Sequence, residues 1–151
     1  MKVLVYLPPS LGASLLSLPC LKSWQANFPE AEIHLLLSPS LEGLFSAILP
    51  DYHVIPVSEV KDITRLRRTA NQLKKMNVDF GLLLDNSFTS ALLFYLARIP
   101  ERWGYDHEGR GFMLTRKFRV RATDPPLHLK DYYLNLLKKV GLRLADNPFQ
   151  L

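Results

Sequence analysis

The sequence predicts an α/β fold in which a doubly wound, mostly parallel β-sheet is wrapped by helices. Apolar runs of strand length alternate along the chain with segments of helical periodicity, which is the pattern of a parallel sheet with crossover helices. The runs at residues 3–7 and 80–84 are apolar throughout, as strands buried on both faces are. The chain has 151 residues, enough for one domain with its own core.

The first half of the chain is predicted to contribute three strands. Residues 3–7 are continuous and β-branched, which favours a central strand. A helix follows, bent early by Pro19, with the apolar stripe Leu15, Leu18, Leu21 and Trp24. A strand at 33–37, a short helix at 39–48 and a strand at 54–57 come next. Pro56 cannot donate a ladder hydrogen bond, so the third strand is predicted at a sheet edge.

The second half begins with a long amphipathic helix at 60–76, whose apolar stripe is Ile63, Leu66, Ala70, Leu73 and Met76. The fourth strand at 80–84 is followed by a helix at 88–97. Two short strands at 102–105 and 117–120 then flank a glycine-rich turn, for which a hairpin is the plain interpretation. A last helix is predicted at 127–140 and ends at Gly141.

The position of the binding site follows from the strand order. Right-handed crossovers favour the order 3-2-1-4-5, with the first and fourth strands adjacent. Ligands of open α/β sheets bind at the carboxyl ends of the strands, where the order reverses. We therefore expect a binding crevice between the loops at 8–14 and 85–90, with positively charged side chains around it.

Charge and composition restrict the kinds of partner and site that the chain can have. The net charge is +5 and the pI about 9.4, which indicates either a solvated basic surface or an anionic partner. Cys20 is the only cysteine, so intrachain disulfides and multi-thiolate zinc sites are excluded. His34 is interpreted as a core or edge residue of a strand, His53, His107 and His128 have no metal-ligand spacing, and no metal site is predicted. No apolar run reaches the ~18 residues of a membrane span.

The loop after the first strand does not have a dinucleotide-binding pattern. It contains one glycine, Gly12, where G-x-G-x-x-G has three, and a P-loop lysine is absent, so no cofactor is predicted. Ser10 or Ser14 either caps the next helix or joins its free amides in holding an anion. Asn86 or Ser87 caps the helix after the fourth strand in the same way, with free amides left for a sugar or phosphate.

Basic and aromatic residues are interleaved late in the chain. The basic residues are Arg98, Arg102, Arg110, Arg116, Lys117, Arg119 and Arg121. Arginine binds phosphate through a two-pronged fork, so this group suits a phosphosugar or nucleic acid, and the alternative is the solvated face of a hairpin. A second group on the long helix, Lys61, Arg65, Arg67 and Arg68, is interpreted as a solvated face.

Three stretches of the sequence, at 3–33, 86–105 and 128–142, carry a resemblance to glycosyltransferase family 9, the heptosyltransferases. The most specific is Asn86-Ser87-Phe88-Thr89-Ser90-Ala91-Leu92 with Ile99-Pro100-Glu101-Arg102-Trp103-Gly104-Tyr105. The resemblance implies a GT-B enzyme of two Rossmann-like domains. Residues 1–143 would be the acceptor-binding domain and 144–151 the start of a linker to an absent donor domain.

The family's activity would be the transfer of heptose from ADP-heptose to the inner core of lipopolysaccharide, in the cytoplasm, with peripheral contact to the inner membrane and no nucleic acid. The fragment alone is expected to be inactive. The alternative is a stand-alone or degenerate α/β module that binds an anionic ligand without catalysis. The acceptor-binding residues implied are Ser10, Gly12, Ala13, Asn86, Ser87, Ser90, Arg98 and Arg102.

One position departs from the family pattern. The family usually has Gly-Asp after the first strand, with the Asp as the proposed general base, and this chain has Gly12-Ala13. A methyl group cannot accept a proton. Either Ala13 is a replacement, or the chain uses another base, or it is inactive. Asp85, at the end of the fourth strand, is the carboxylate that we expect as the substitute catalytic base.

Overall fold

The structure is a computed structural model that describes residues 1–58, 62–106 and 109–118. Its strands are β1 Lys2–Tyr6, β2 Glu32–Leu37, β3 His53–Pro56, β4 Phe80–Leu83, β5 Glu101–Tyr105 and β6 Arg116–Phe118. Its α-helices are α1 Leu11–Leu16, α2 Leu18–Asn27, α3 Glu42–Ile48, α4 Ile63–Lys74 and α5 Phe88–Leu96, with 3₁₀ helices at Pro39–Leu41 and Arg110–Met113. The predicted last helix and the linker lie outside the described residues.

The strands form one sheet in the order β3-β2-β1-β4-β5-β6, and every neighbouring pair is parallel. The α/β fold, the order of the first five strands and the edge position of β3 are therefore confirmed. The predicted hairpin is wrong, because Trp103 of β5 lies opposite Arg116 of β6 in a parallel register. The segment between them therefore crosses back to the start of β5, and its Met113 and Leu114 are buried with the apolar residues of α5.

Each face of the sheet has its own apolar core. Val3 and Val5 of β1 pack with α2 and α3 on one face, whereas Leu4 packs with α4 and α5 on the other. The alternation follows from the two-residue period of a strand and explains why β1 is apolar from Val3 onward. Among the predicted stripe residues, Leu15 and Ile63 are exposed instead, because each lies near a helix end, beyond the sheet.

The predicted bent helix is in fact two helices. The first ends after Leu16, Ser17 joins them, and Pro19 occupies the first turn of the second. Proline is tolerated there because a first-turn amide has no helical partner. Among the described residues, no helix has the length and apolar character that crossing a membrane requires.

Gly81 of β4 permits the close packing of α5 on the sheet. A Cβ at this position would lie 2.5 Å from Cδ2 and 2.8 Å from Cε2 of the buried Phe94. We expect Gly81→Ala to lower the free energy of unfolding by about 1–3 kcal/mol, the usual cost of overpacking a core. Urea unfolding measures the change.

The matched control for Gly81 is Gly43, within α3. A Cβ there has no atom within 4 Å, so Gly43→Ala is expected to raise stability by about 0.5–1 kcal/mol. A Gly81→Ala variant as stable as the parent protein would contradict the close approach of Phe94.

Candidate functional site

A cavity of about 330 Å³ opens at the carboxyl ends of β1 and β4. The backbone amides of Leu84 and Asp85 both donate to the carbonyl oxygen of Tyr6, at 3.0 and 3.1 Å, and so join the two strand ends. The cavity is lined by Tyr6, Leu7, Pro9, Ser38, Val57, Asp85, Ser87 and Thr89. The predicted crevice between the first and fourth strands is thus present, with Asp85 and Ser87 in its wall.

Ser87 links the start of α5 to the carboxylate of Asp85. Its Oγ donates to Oδ2 of Asp85 at 2.6 Å and accepts from the backbone N–H of Ser90 at 3.1 Å. Ser87 is therefore the cap of α5, and Asn86 is not. The hydroxyl of the buried Ser90 donates to the carbonyl oxygen of Ser87 at 2.9 Å, which leaves it facing the loop instead of the cavity.

Arg110, which the sequence placed in a phosphate-binding or solvated basic group, is instead a buried support of this loop. Its side chain is fully buried. Its Nη1 donates to the carbonyl oxygens of Asp85 and Ser87 at 2.8 and 2.9 Å and to Oγ of Ser90 at 3.2 Å. Its Nε donates to the carbonyl oxygen of Tyr105 at 2.9 Å. One guanidinium therefore connects the end of β5 to the loop that carries Asp85.

Two glycines make room for this arrangement. A Cβ on Gly104 would lie 3.2 Å from Nη2 of Arg110, and one on Gly111 would lie 2.7 Å from a carboxylate oxygen of Asp106. Gly104 lies in β5, whereas Gly111 belongs to the Gly109-Arg110-Gly111 segment that we interpreted as a glycine-rich turn. The structure places a buried cation there.

The loop after β1 contributes to the crevice through Pro9. Ser10, Gly12 and Ala13 are not among the lining residues. Ser10 caps α1 by accepting from the backbone N–H of Ala13 at 3.2 Å, so the cap is Ser10 and not Ser14. Because α1 has only six residues and this cap occupies its first turn, the structure adds nothing to the hypothesis of an anion held at its amino end.

Arg98 and Arg102 lie at the opposite end of the sheet from the crevice. In β5, Arg102 is paired with Gly81, near the start of β4, whereas Asp85 follows the end of β4. Gly81 and Asp85 are four residues apart along the strand direction, which corresponds to about 13 Å. The expectation that these arginines share a groove with the strand ends is therefore corrected.

The Arg102 side chain binds backbone carbonyls, and the Arg98 backbone terminates α5. Arg102 donates from Nε to the Met113 carbonyl oxygen and from Nη1 to that of Ile99, each at 2.6 Å. Arg98 has a φ of 57° and ends α5, where its amide donates to the carbonyl oxygen of Tyr95 at 3.1 Å. This left-handed residue is the usual end of an α-helix, here without the glycine that normally occupies it.

A second cavity, of about 450 Å³, lies between β3 and α4. Arg65, Arg68 and Gln72 of α4 line one side of it, and Val57 belongs to both this cavity and the crevice. Part of the basic group that we interpreted as a solvated face thus borders a concave surface next to the crevice. Arg67, from the same group, does not line it.

Comparisons with known proteins identify relatives of this chain. The family model described as glycosyltransferase family 9 (heptosyltransferase) matches residues 66–150, more than half of the chain. Lipopolysaccharide heptosyltransferase 2 of Salmonella typhimurium strain LT2 is 30% identical over 97% of this chain and 43% of its own length. The enzyme of the same name from Escherichia coli K12 is also 30% identical, with the same coverage. The chain therefore spans less than half the length of these relatives.

Solved structures give the same relationship. The structure of E. coli ADP-heptose lps heptosyltransferase II matches with a TM-score of 0.79 and 29% identity, over 90% of this chain and 40% of that one. E. coli heptosyltransferase WaaC with ADP-2-deoxy-2-fluoro heptose matches with a TM-score of 0.75 over 97% of this chain and 50% of its own, and at 19% identity it supports the fold alone. From the family model, the sequence relatives and the shared fold together, the chain belongs to glycosyltransferase family 9.

Proposed function

We propose that this chain is the acceptor-binding domain of an enzyme that transfers heptose from ADP-heptose to the inner core of lipopolysaccharide. The observation that carries the proposal is the crevice at the ends of β1 and β4, with one carboxylate, Asp85, in its wall. Family membership supplies the reaction class, and the named relatives supply the lipopolysaccharide substrate. The donor would be held by a part of the enzyme that this chain does not include.

The chemistry needs a base at the acceptor and a good leaving group at the donor. An acceptor hydroxyl loses its proton to the Asp85 carboxylate as its oxygen attacks the anomeric carbon of ADP-heptose, and the bond to the diphosphate breaks, releasing ADP. The hydrogen bond from Ser87 fixes the orientation of that carboxylate. Arg110 fixes the backbone carbonyls of Asp85 and Ser87, so the base is positioned before the acceptor arrives.

The arginines beside the second cavity suit an acceptor that carries negative charge. Inner-core sugars carry phosphate and carboxylate groups, and Arg65 and Arg68 border a concave surface that shares Val57 with the crevice. An oligosaccharide whose reacting sugar occupies the crevice would pass over Val57 and bring its anionic groups to these two arginines. Arginine is suited to this role because its fork matches phosphate oxygens.

Binding of a phosphorylated inner-core oligosaccharide tests the proposal. The double variant Arg65→Ala/Arg68→Ala is expected to weaken binding about tenfold or more at low salt, because each charge-assisted hydrogen bond contributes about 1.5–3 kcal/mol. Isothermal titration calorimetry measures the change. Arg67→Ala, on the same helix but outside the cavity lining, is the matched control and should bind as the parent protein does.

Dephosphorylated oligosaccharide provides the second comparison. It should bind more weakly than the phosphorylated form, and the difference should shrink as salt is added. Equal affinity for both forms at low salt would count against an anionic acceptor. Arg102→Ala is not a suitable probe, because it removes two hydrogen bonds to backbone carbonyls far from the crevice.

The location of the enzyme follows from its proposed substrate. A domain that binds a membrane glycolipid would work in the cytoplasm and touch the inner membrane peripherally, and its net charge of +5 suits an anionic surface. Cosedimentation with anionic and neutral vesicles checks this, with binding only to the anionic vesicles expected.

A further inference from the structure

Three side chains that can ligate a transition metal meet on β2 and β3, at the end of the sheet away from the crevice. His34 of β2 and His53 of β3 are directly opposite each other in the parallel register. Glu32 lies two residues before His34 and therefore on the same face of β2. The register creates this group, which is why the sequence spacing of the histidines gave no ligand pattern.

The donor atoms are already close. Oε1 of Glu32 is 2.9 Å from Nε2 of His34 and 3.6 Å from Nε2 of His53. The two imidazole rings are stacked with centroids 4.6 Å apart, and all three donor atoms lie within 4.8 Å of one another. Ligands about 2.0–2.2 Å from a tetrahedral ion are about 3.3–3.6 Å apart. Side-chain rotations that move the donor atoms by about an ångström would therefore give the separations that a tetrahedral ion requires.

We propose that Glu32, His34 and His53 form a binding site for a divalent transition metal of the Zn²⁺ class. Two imidazole nitrogens and one carboxylate oxygen are a donor set that favours Zn²⁺, Co²⁺ or Ni²⁺ over Mg²⁺ and Ca²⁺. Glu32 and His53 are exposed, so an ion can enter from solvent and keep water as a further ligand. The site is independent of the proposed transfer reaction.

The protonation of these groups is compatible with a metal. Burial lowers the pKa of the His34 imidazole, which favours the neutral ring that ligates. The hydrogen bond with His34 lowers the pKa of the Glu32 carboxyl, which keeps it ionised. Metal binding replaces that hydrogen bond, so a ring proton on Nε2 moves to Nδ1 or is released.

A neighbouring positive charge limits the strength of the site. Lys2 lies opposite Glu32 in the register, and its ammonium donates to the Met76 carbonyl oxygen at 3.0 Å. Its positive charge opposes a cation, so we expect micromolar rather than tighter binding. The single cysteine, Cys20, is buried in α2 and does not belong to this group of donor atoms.

Such an ion would tie the edge strand to the sheet. β3 pairs only with β2 in the described sheet, and Pro56 gives it no amide at its last position. The next residue, Val57, donates to the Leu37 carbonyl oxygen at 2.8 Å and borders both cavities. A metal bridge between His34 and His53 would therefore stabilise the strand that leads into the crevice.

Metal titration of the chelator-treated chain tests the proposal. Calorimetry with ZnCl₂ is expected to give one micromolar site per chain and a rise in Tm that MgCl₂ does not reproduce. His53→Ala should weaken Zn²⁺ binding by about 100-fold or more, since even the outer-shell partners of metal ligands contribute about 10–100-fold. Glu32→Gln, at an exposed position, should weaken it as well.

His128→Ala is the matched control, since it removes a histidine from elsewhere in the sequence and should leave binding unchanged. Co²⁺ gives a second readout, a visible absorption band that His53→Ala abolishes. The proposal is overturned if Zn²⁺ does not bind stoichiometrically, or if His53→Ala binds as tightly as the parent chain. In that second case the three residues form only a hydrogen-bonded cluster.

Discussion

Arg110→Met is expected to lower the free energy of unfolding of this domain by about 3–5 kcal/mol. Methionine keeps the apolar length of the side chain and removes the guanidinium. The carbonyl oxygens of Tyr105, Asp85 and Ser87 then lose a buried donor, and each unsatisfied group costs about 1–3 kcal/mol unless it finds water. Urea unfolding followed by circular dichroism measures the change.

Two further variants separate the causes. Arg67→Met removes an exposed arginine of α4 and should change stability by no more than about 0.5 kcal/mol. Arg110→Lys keeps the charge but cannot serve acceptors on two loops at once, so an intermediate loss is expected. An Arg110→Met variant within about 1 kcal/mol of the parent protein would show that water replaces the guanidinium.

The Arg110→Met variant should also loosen the loop that carries Asp85 in the wall of the crevice. The Arg110 bonds to Asp85 and Ser87 fix the loop between β4 and α5, which carries the proposed base. Hydrogen exchange of the Ser90 amide, whose acceptor is Oγ of Ser87, is therefore expected to speed up more than exchange in β1. Equal acceleration everywhere would mean that Arg110 contributes global stability without positioning the loop.

Local patterns were sufficient to predict most of the sheet. β4, and β1 from Val3 onward, are apolar because helices cover both of their faces, and that composition is visible in the sequence. The crossover rule then placed their carboxyl ends side by side, which is the crevice. The direction of β6 was not predictable in this way, because it depends on the burial of Met113 and Leu114 against α5.

The arginines show that residues close in the sequence can lie at opposite ends of the sheet. Arg98 follows Asn86 closely in the chain, but the nine residues of α5 carry it about 14 Å away, to the other end of the sheet. Topology alone predicts this separation, since a crossover helix runs back along the strands. The burial of Arg110 and the pairing of His34 with His53 are different, because both depend on tertiary register.

Asp85→Asn is expected to lower the rate of heptose transfer by about 100- to 10,000-fold, the usual contribution of a general base. The amide oxygen of asparagine can still accept from Ser87, so the loop should keep its conformation while losing its proton acceptor. Transfer needs the donor site as well. The variant is therefore made in a chimera. In it, this chain replaces the matching part of lipopolysaccharide heptosyltransferase 2 of E. coli K12 and is followed by the rest of that enzyme.

Ala13 supplies the control for Asp85. The family's usual carboxylate follows Gly12, so Ala13→Asp in the Asp85→Asn chimera should restore part of the rate if the two positions serve the same hydroxyl. Unchanged transfer by Asp85→Asn alone would assign the proton to another group. A parent chimera that binds the phosphorylated acceptor but transfers nothing would favour a domain that has kept the binding site and lost the base, because Asp85 would then be too far from the attacking oxygen.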